Sequence, residues 1–208
     1  MRIAPEGWPF IVVAWLVGVA LLLLASWVVA LVWLPVAVWC TAFFRDPVRE
    51  GPRGEGVIIA PADGRVVSVI PIDEPTVIGG AAVRISIFMN VFDVHVNRYP
   101  SSGEVIHRDH RQGKFFNAAT EKAALENEQS DVGLRTPRGL MLVRQIAGLV
   151  ARRIKTDHQP GHVAAQGERL GLIRFGSRVD VFLPAGTSVT VHTGDITRAG
   201  QTVIAEWR

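Results

Sequence analysis

From Gly7 to Phe44 the chain carries no charged side chain, and then Arg45, Asp46, Arg49, Glu50 and Arg53 arrive in quick succession. One straight helix over that run would be about 55 Å long, well beyond the roughly 30 Å hydrocarbon core of a bilayer. Two short helices fit better. A break near Ala25-Ser26-Trp27 predicts segments of about 17 to 18 residues, with Trp8 and Trp39 near the outer interface and Pro35 bending the second. A signal peptide is disfavoured, because Glu6 accompanies Arg2 and apolar sequence continues past any plausible cut. Arginines flank both ends (Arg2; Arg45, Arg49, Arg53), which places both ends of a hairpin on the cytoplasmic side. Spanning helices and a re-entrant interfacial hairpin both satisfy the pattern.

Beyond Pro52 the pattern changes to short runs bounded by Gly, Pro and Asp. Val57–Ile59, Gly64–Ile70, Ala82–Phe88, Leu140–Val143, Leu172–Phe175, Val179–Leu183, Ser188–Val191 and Thr202–Ala205 read as strands. Ala118 to Gln129 is the one clear helical candidate among them. So few helices argue against a βαβ fold and for a mainly β (α+β) domain of antiparallel strands. Two segments, Pro61 to Val66 and Gly194 to Ala205, resemble the two halves of a biotinyl or lipoyl carrier sandwich, which favours a barrel-sandwich topology. No lysine stands where a carrier would need one. Gly176-Ser177 interrupts what otherwise reads as continuous strand from Leu172 to Leu183, and a glycine there permits a bulge.

The average composition conceals this division. Of 208 residues, 49% are hydrophobic and 20% charged, and the mean hydropathy of +0.26 is high for a purely soluble domain. Divided along the chain, the excess belongs to a membrane-associating segment, residues 1–50, ahead of a β-rich domain, residues 51–208. The net charge of +3 does not imply nucleic acid, since the basic residues are scattered among acids and Arg152-Arg153 is their longest run. The single cysteine, Cys40, excludes an intramolecular disulfide and a multi-cysteine metal site.

Patterns for nucleotide hydrolysis, dinucleotide redox, α/β-hydrolase and zincin chemistry are missing from the sequence. Three segments carry chemistry instead: Pro61-Ala62-Asp63-Gly64-Arg65, Phe88 to Pro100 with His95 at its centre, and Gly171 to Asp180 with Gly176-Ser177. Together they supply an acid, an imidazole and a hydroxyl, the inventory for activating a serine. Each also has a plain reading: a turn aspartate before Gly64, a strand histidine, a turn serine after glycine. His107, His110, His158, His162 and His192 read as surface residues.

At these residues the sequence resembles the phosphatidylserine decarboxylase proenzymes of the short bacterial and archaeal type. Phe43-Phe44-Arg45-Asp46-Pro47, the Pro-Ala-Asp-Gly-Arg turn, Asn90 to Arg98, Ala147 to Arg153 and Gly167 to Asp180 match that family's pattern in the expected order. The resemblance covers nearly the whole chain. It implies a zymogen that cuts itself between Gly176 and Ser177, leaving a β chain of residues 1–176 associated with an α chain of residues 177–208. The serine would become a covalent pyruvoyl group, with no PLP and no metal, that forms a Schiff base with the substrate amine. Phosphatidylserine would thereby yield phosphatidylethanolamine and CO2 at the cytoplasmic face of the cell membrane.

The resemblance further implies that Ser177, His95 and Asp63 are catalytic, and it offers Arg98, Arg152 and Arg153 for the substrate phosphate. Longer family members carry two histidines three residues apart in this region, and here Arg98 stands at the second position. His95 would then serve self-cleavage, reprotonation, or both. The same chemistry on an archaetidylserine-type lipid, and a membrane-tethered carrier-like β sandwich without catalysis, are the alternatives. A heterodimer of the two chains is expected, with a higher oligomer open and nucleic acid excluded.

Overall fold

The computed structural model describes residues 2–149, 153–174 and 176–207. They form two compact units, Met1–Val48 and Arg49–Arg208.

In the first unit strand β1 (Arg2–Ile3) and a 3₁₀ turn (Pro5–Gly7) lead into helix α1 (Trp8–Leu24), followed by α2 (Trp27–Phe43) and strand β2 (Arg45–Asp46). The break falls where the pattern predicts it. Ser26 is extended there, and its hydroxyl caps α2 by accepting from the Val29 amide at 3.4 Å. Two indoles tie the helices together: Trp33 Nε1 donates to the Ala14 carbonyl at 2.8 Å and Trp15 Nε1 to Thr41 Oγ1 at 3.1 Å. Most other apolar side chains of the pair, including Leu23, Leu24, Trp27 and Val32, are exposed. Pro5–Leu24 is long and apolar enough to cross a bilayer, whereas α2 is shorter. Pairing of β1 with β2, Arg2 opposite Asp46, returns both ends of the hairpin to one place.

The second unit is the β domain. Its strands are β3 (Val57–Ile59), β4 (Gly64–Glu74), β5 (Gly80–Met89), β6 (Val96–Arg98), β7 (Gly103–Arg111), β8 (Gln129–Thr136), β9 (Gly139–Ile146), β10 (Ile154–Thr156), β11 (Val163–Ala164), β12 (Arg169–Ile173), β13 (Ser177–Pro184), β14 (Ser188–Val189), β15 (Ile196–Thr197) and β16 (Val203–Glu206). Eight of them make a curled antiparallel sheet in the order β11-β7-β8-β9-β13-β5-β4-β15. Two three-stranded sheets, β10-β12-β6 and β14-β16-β3, complete the domain. The core under the large sheet is aliphatic: Ile85, Ile87, Val132, Leu134, Val143, Val179 and Val181 are fully buried. Strand β13 lies between β5 and β9 and is buried along nearly its whole length.

A buried polar chain ties the β10-β12-β6 sheet to the large one. Gln145 Nε2 donates to Asn97 Oδ1 at 2.7 Å, Thr156 Oγ1 donates to Gln145 Oε1 at 2.8 Å, and Ser130 Oγ lies 2.7 Å from Thr156 Oγ1. Each member has a partner, so the desolvation of these groups is compensated and the small sheet is fixed in register.

Two expectations are revised. The helix predicted over Ala118–Gln129 shrinks to α3 (Glu121–Glu126), because Gln129 opens β8 and donates its amide to the Ala124 carbonyl at 2.6 Å. The strands predicted over Leu172–Phe175 and Val179–Leu183 are β12 and β13, and they lie in different sheets. Strands β7 and β8 are additional; β7 reads Gly-Glu-Val-Ile-His-Arg-Asp-His-Arg and fully buries only Val105, so its polarity hid it. The segments Pro61–Val66 and Gly194–Ala205 do meet, with Ile196 opposite Arg65 and Thr197 opposite Gly64.

Candidate active site

The site forms where the chain leaves the small sheet and enters the large one. Strand β12 ends at Ile173 and β13 begins at Ser177. Gly176 makes the transition with φ +63°, a left-handed conformation that a side-chain-bearing residue adopts only with strain. Ser177 pairs with Met89 across β5 and is fully buried. Its Oγ has no hydrogen-bond partner among the described residues. A buried hydroxyl left unsatisfied is costly, and such groups mark functional positions.

His95 reaches the same place from the loop before β6. It is fully buried, and β6 holds it through the pairing of Val96 with Leu172. Nδ1 lies 3.0 Å from the Asp93 carbonyl, an oxygen that can only accept, so Nδ1 carries the proton. Nε2 therefore keeps its lone pair, and it accepts from the Gly176 amide at 3.3 Å. The structure thus brings His95 and the Gly176-Ser177 pair together.

Asp63 is held differently. One carboxylate oxygen forms a 2.6 Å ion pair with Arg49, and the other accepts from the Ala199 amide at 2.7 Å. These bonds pin the turn before β4 to the C-terminal turn, and the Asp93 carbonyl is one partner of the His95 ring. Arg98 donates to the Gly167 carbonyl at 3.1 Å. Arg153 is exposed, and its carbonyl accepts from the Arg174 amide at 3.4 Å. Arg152 lies outside the described residues.

Two features escaped the sequence reading. Arg178, directly after Ser177, is completely buried and grips Asp180 through two bonds of 2.6 and 3.0 Å, with Ser86 Oγ at 2.8 Å. Arg84 and Glu121, themselves joined at 2.6 Å, extend the cluster. Gly148 is the other: a Cβ on it would collide with the Gly176 carbonyl oxygen. Its neighbour Ala147 is held on both sides, the amide to the Glu128 carbonyl at 2.9 Å and the carbonyl to Asn127 Nδ2 at 2.7 Å. The only sequence signal for either was their place within the matched segments.

Among the described residues one group could offer a metal three ligands: His158, His162 and Glu168. The two imidazoles stack at 3.7 Å with planes 4° apart, so their lone pairs run side by side instead of converging. As placed they share Glu168 Oε1, at 3.0 Å from His162 and 3.5 Å from His158, while Tyr99 Oη lies 3.2 Å from His158 Nδ1. Burial and the acids Glu168 and Asp157 push the Tyr99 phenol well above its usual range.

The family model for phosphatidylserine decarboxylase matches residues 36–205. A phosphatidylserine decarboxylase proenzyme of Nitrosomonas eutropha is 49% identical over 207 residues, covering 99% of this chain and 95% of the relative. Proteins of the same description from Nitrosomonas europaea and Symbiobacterium thermophilum are 47% identical over 206 residues and 48% identical over 204. They cover 99% and 97% of this chain, and 95% and 94% of their own lengths.

Proposed function

The chain belongs to the phosphatidylserine decarboxylase family, and from that premise we propose that the Gly176–Ser177 bond is where the proenzyme cuts itself. The protein is a carboxy-lyase of phospholipid biosynthesis, converting phosphatidylserine to phosphatidylethanolamine and CO2. One observation carries the assignment of the cut: a buried Ser177 hydroxyl without a partner among the described residues follows a glycine whose amide hydrogen rests on the basic nitrogen of His95.

The steps balance on these groups. Ser177 Oγ attacks the Gly176 carbonyl carbon as His95 Nε2 takes its proton, and the amide nitrogen leaves protonated, converting the peptide bond to an ester. Loss of the Ser177 Cα proton expels the Gly176 carboxylate and leaves dehydroalanine. Water then releases ammonia and leaves a ketone at the head of the chain 177–208. The left-handed Gly176 turns the chain from β12 into β13 at the proposed cut, a conformation that glycine adopts without strain. Ser177 fits the role of precursor to a pyruvoyl group, because its hydroxyl is bonded to none of the described residues.

That group supplies a ketone for the substrate amine and accepts the electron pair left when CO2 departs. His95, once protonated at Nε2 from solvent, would deliver that proton to the carbon that loses CO2, so one imidazole would serve both stages. Asp63 would contribute by holding the turn before β4 through Arg49. Arg98 and Arg153 are the described cations offered to the phosphate. We assign residues 1–50 to membrane association and 51–208 to catalysis. Arginines at both ends of the hairpin favour the cytoplasmic side.

Intact mass of the purified protein tests the cut. Two chains, the shorter beginning at residue 177 and reacting with a carbonyl reagent, are expected. A single unreactive chain of full mass, identical to that of Ser177→Ala, would sink the proposal.

A further inference from the structure

Between β10 and β11 the sequence runs His158-Gln159-Pro160-Gly161-His162, and Pro-Gly makes the turn, with Gly161 at φ +95°. The turn is pinned to β7 in both directions: the Gly161 amide donates to the Val105 carbonyl and the Val105 amide to the His162 carbonyl, each at 2.8 Å. A second turn, Ala165 to Glu168, is pinned to Tyr99 just after β6 in the same way. The Tyr99 amide donates to the Glu168 carbonyl and the Gly167 amide to the Tyr99 carbonyl, each at 2.8 Å. Two anchored turns thus present two imidazoles and a carboxylate to one point. We propose that this point binds one divalent transition ion of the zinc class through Nε2 of His158, Nε2 of His162 and Oε1 of Glu168.

Spacing supports it first. Zinc bonds of about 2.0 to 2.1 Å to imidazole nitrogen or carboxylate oxygen set ligand atoms about 3.3 Å apart in a tetrahedron. Glu168 Oε1 lies 3.0 Å from His162 Nε2 and 3.5 Å from His158 Nε2, and the three ligand atoms fall within 4.8 Å of one another. Glu168 Oε2 accepts from the Ala165 amide at 2.8 Å, which leaves Oε1 turned to the histidines. His158 also has the outer partner that orients a ligating imidazole, Tyr99 Oη at 3.2 Å from Nδ1. Burial and the acids Glu168 and Asp157 push the Tyr99 phenol up, so it keeps its proton; its oxygen can accept from Nδ1–H and leave the Nε2 lone pair to the ion. The Arg108 guanidinium donates to the Thr156 and His158 carbonyls at 3.2 Å each and so fixes the backbone on the approach to the turn.

One torsion has to change. With the ring planes 4° apart the two lone pairs run side by side, and one imidazole must turn about its Cβ–Cγ bond for both to reach the ion. His162 is the ring able to do so: its Nδ1 has no hydrogen bond among the described residues, its side chain is 31% exposed, and that torsion is soft. Without an ion, Nε2–H of His162 can donate to Glu168 Oε1; with one, the ring carries its proton on Nδ1 instead. Two imidazoles and one carboxylate favour zinc over magnesium or calcium, which take oxygen ligands. The ion would clip the end of β6 to the start of β12, strands whose other ends lie next to His95 and lead toward Gly176. It would take no part in the decarboxylation.

The full-length chain without an affinity tag, stripped with a chelator and held in detergent, is titrated calorimetrically with zinc chloride and with magnesium chloride. One zinc per chain and far weaker magnesium are expected. His162→Ala and Glu168→Gln should each weaken zinc by at least about 100-fold, and Tyr99→Phe, which removes only the outer partner, by about 10- to 100-fold. Zinc should raise the melting temperature of the wild-type chain and leave that of Glu168→Gln where it was. Melts of the metal-free variants show which are folded; Glu168→Gln keeps the side chain's size and an oxygen for Ala165, so it carries the test if His162→Ala does not fold. Failure of the wild-type chain to bind zinc, magnesium binding as tight as zinc, or unchanged zinc affinity in Glu168→Gln would overturn the site. These readings do not depend on cleavage, so the failure of this site and the failure of the proposed cut at Gly176 are told apart.

Discussion

The carbonyl oxygen of Gly176 occupies the space that a side chain on Gly148 would need. Gly148 cannot retreat easily, since Ala147 before it is bonded to Glu128 and Asn127 and the Ala118 methyl lies close to the same space. Gly148→Ala should therefore push the scissile carbonyl aside while leaving the sheets intact. Misplacing a reacting group by about 1 Å can cost on the order of 100-fold in rate. We expect uncleaved precursor to accumulate with a near-normal melting temperature, read by intact mass and calorimetry side by side.

Ser177 and His95 should separate in their effects on stability. The Ser177 hydroxyl has no partner to lose among the described residues, so Ser177→Ala should change folding stability by less than about 0.5 kcal/mol while abolishing cleavage. His95→Gln breaks the link to the Gly176 amide and removes the base; cleavage should slow by about 100-fold or more. A time course of chain separation on a denaturing gel measures both.

Arg178 holds the first turn-free residues of β13 by charge. Its truncation in Arg178→Met leaves Asp180 buried without its two short bonds, with Arg84 at 3.8 Å and the charge of Arg144 as the remaining compensation among the described residues. Leaving one member of a buried pair uncompensated typically costs about 3–5 kcal/mol. The double variant Arg178→Met/Asp180→Leu should recover a good part of that loss, and urea unfolding of the uncleaved Ser177→Ala background gives the comparison directly.

Glu74 gives the β domain an acid limit. Burial alone would raise its pKa, but amide hydrogens from Thr76, Val77 and Ile78 on its carboxylate outweigh that and lower it from 4.5. A carboxyl with a depressed folded pKa contributes stability in full above its unfolded value, and that contribution is lost as pH falls through the folded value. Stability should thus decline below about pH 4.5. Glu74→Gln should be less stable at neutral pH and should show a shallower acid decline, followed by thermal melts across pH 3 to 7.

The hairpin, the strands Val57–Ile59 and Val179–Leu183, and the meeting of the Pro61 and Gly194 segments were legible because each rests on a local pattern: an uncharged run, an alternation, a Gly-Asp turn. Ser177 and His95 were legible as residue types, and their proximity came only from β6 pairing with β12. What stayed hidden depends on long-range partners. Nothing in the string Gly103–Arg111 announces a strand, since its register comes from Arg135 to Gln129 on β8. Gly148 looks like any loop glycine until the carbonyl facing it is known, and the sequence does not show that Arg49 pairs with Asp63.

Strand β13 begins at the proposed cut and is zipped to β5 on one side and β9 on the other. Severing the chain at its first residue removes connectivity without removing a single rung of that ladder. The product is a mature enzyme whose central strand is a separate molecule. Before the cut, unfolding and refolding are events within one chain; afterwards, refolding needs two chains to find each other and becomes concentration-dependent. Self-cleavage would then act as a ratchet: the fold is learned once as a precursor, and its persistence afterwards is a matter of how slowly β13 is pulled from between its neighbours.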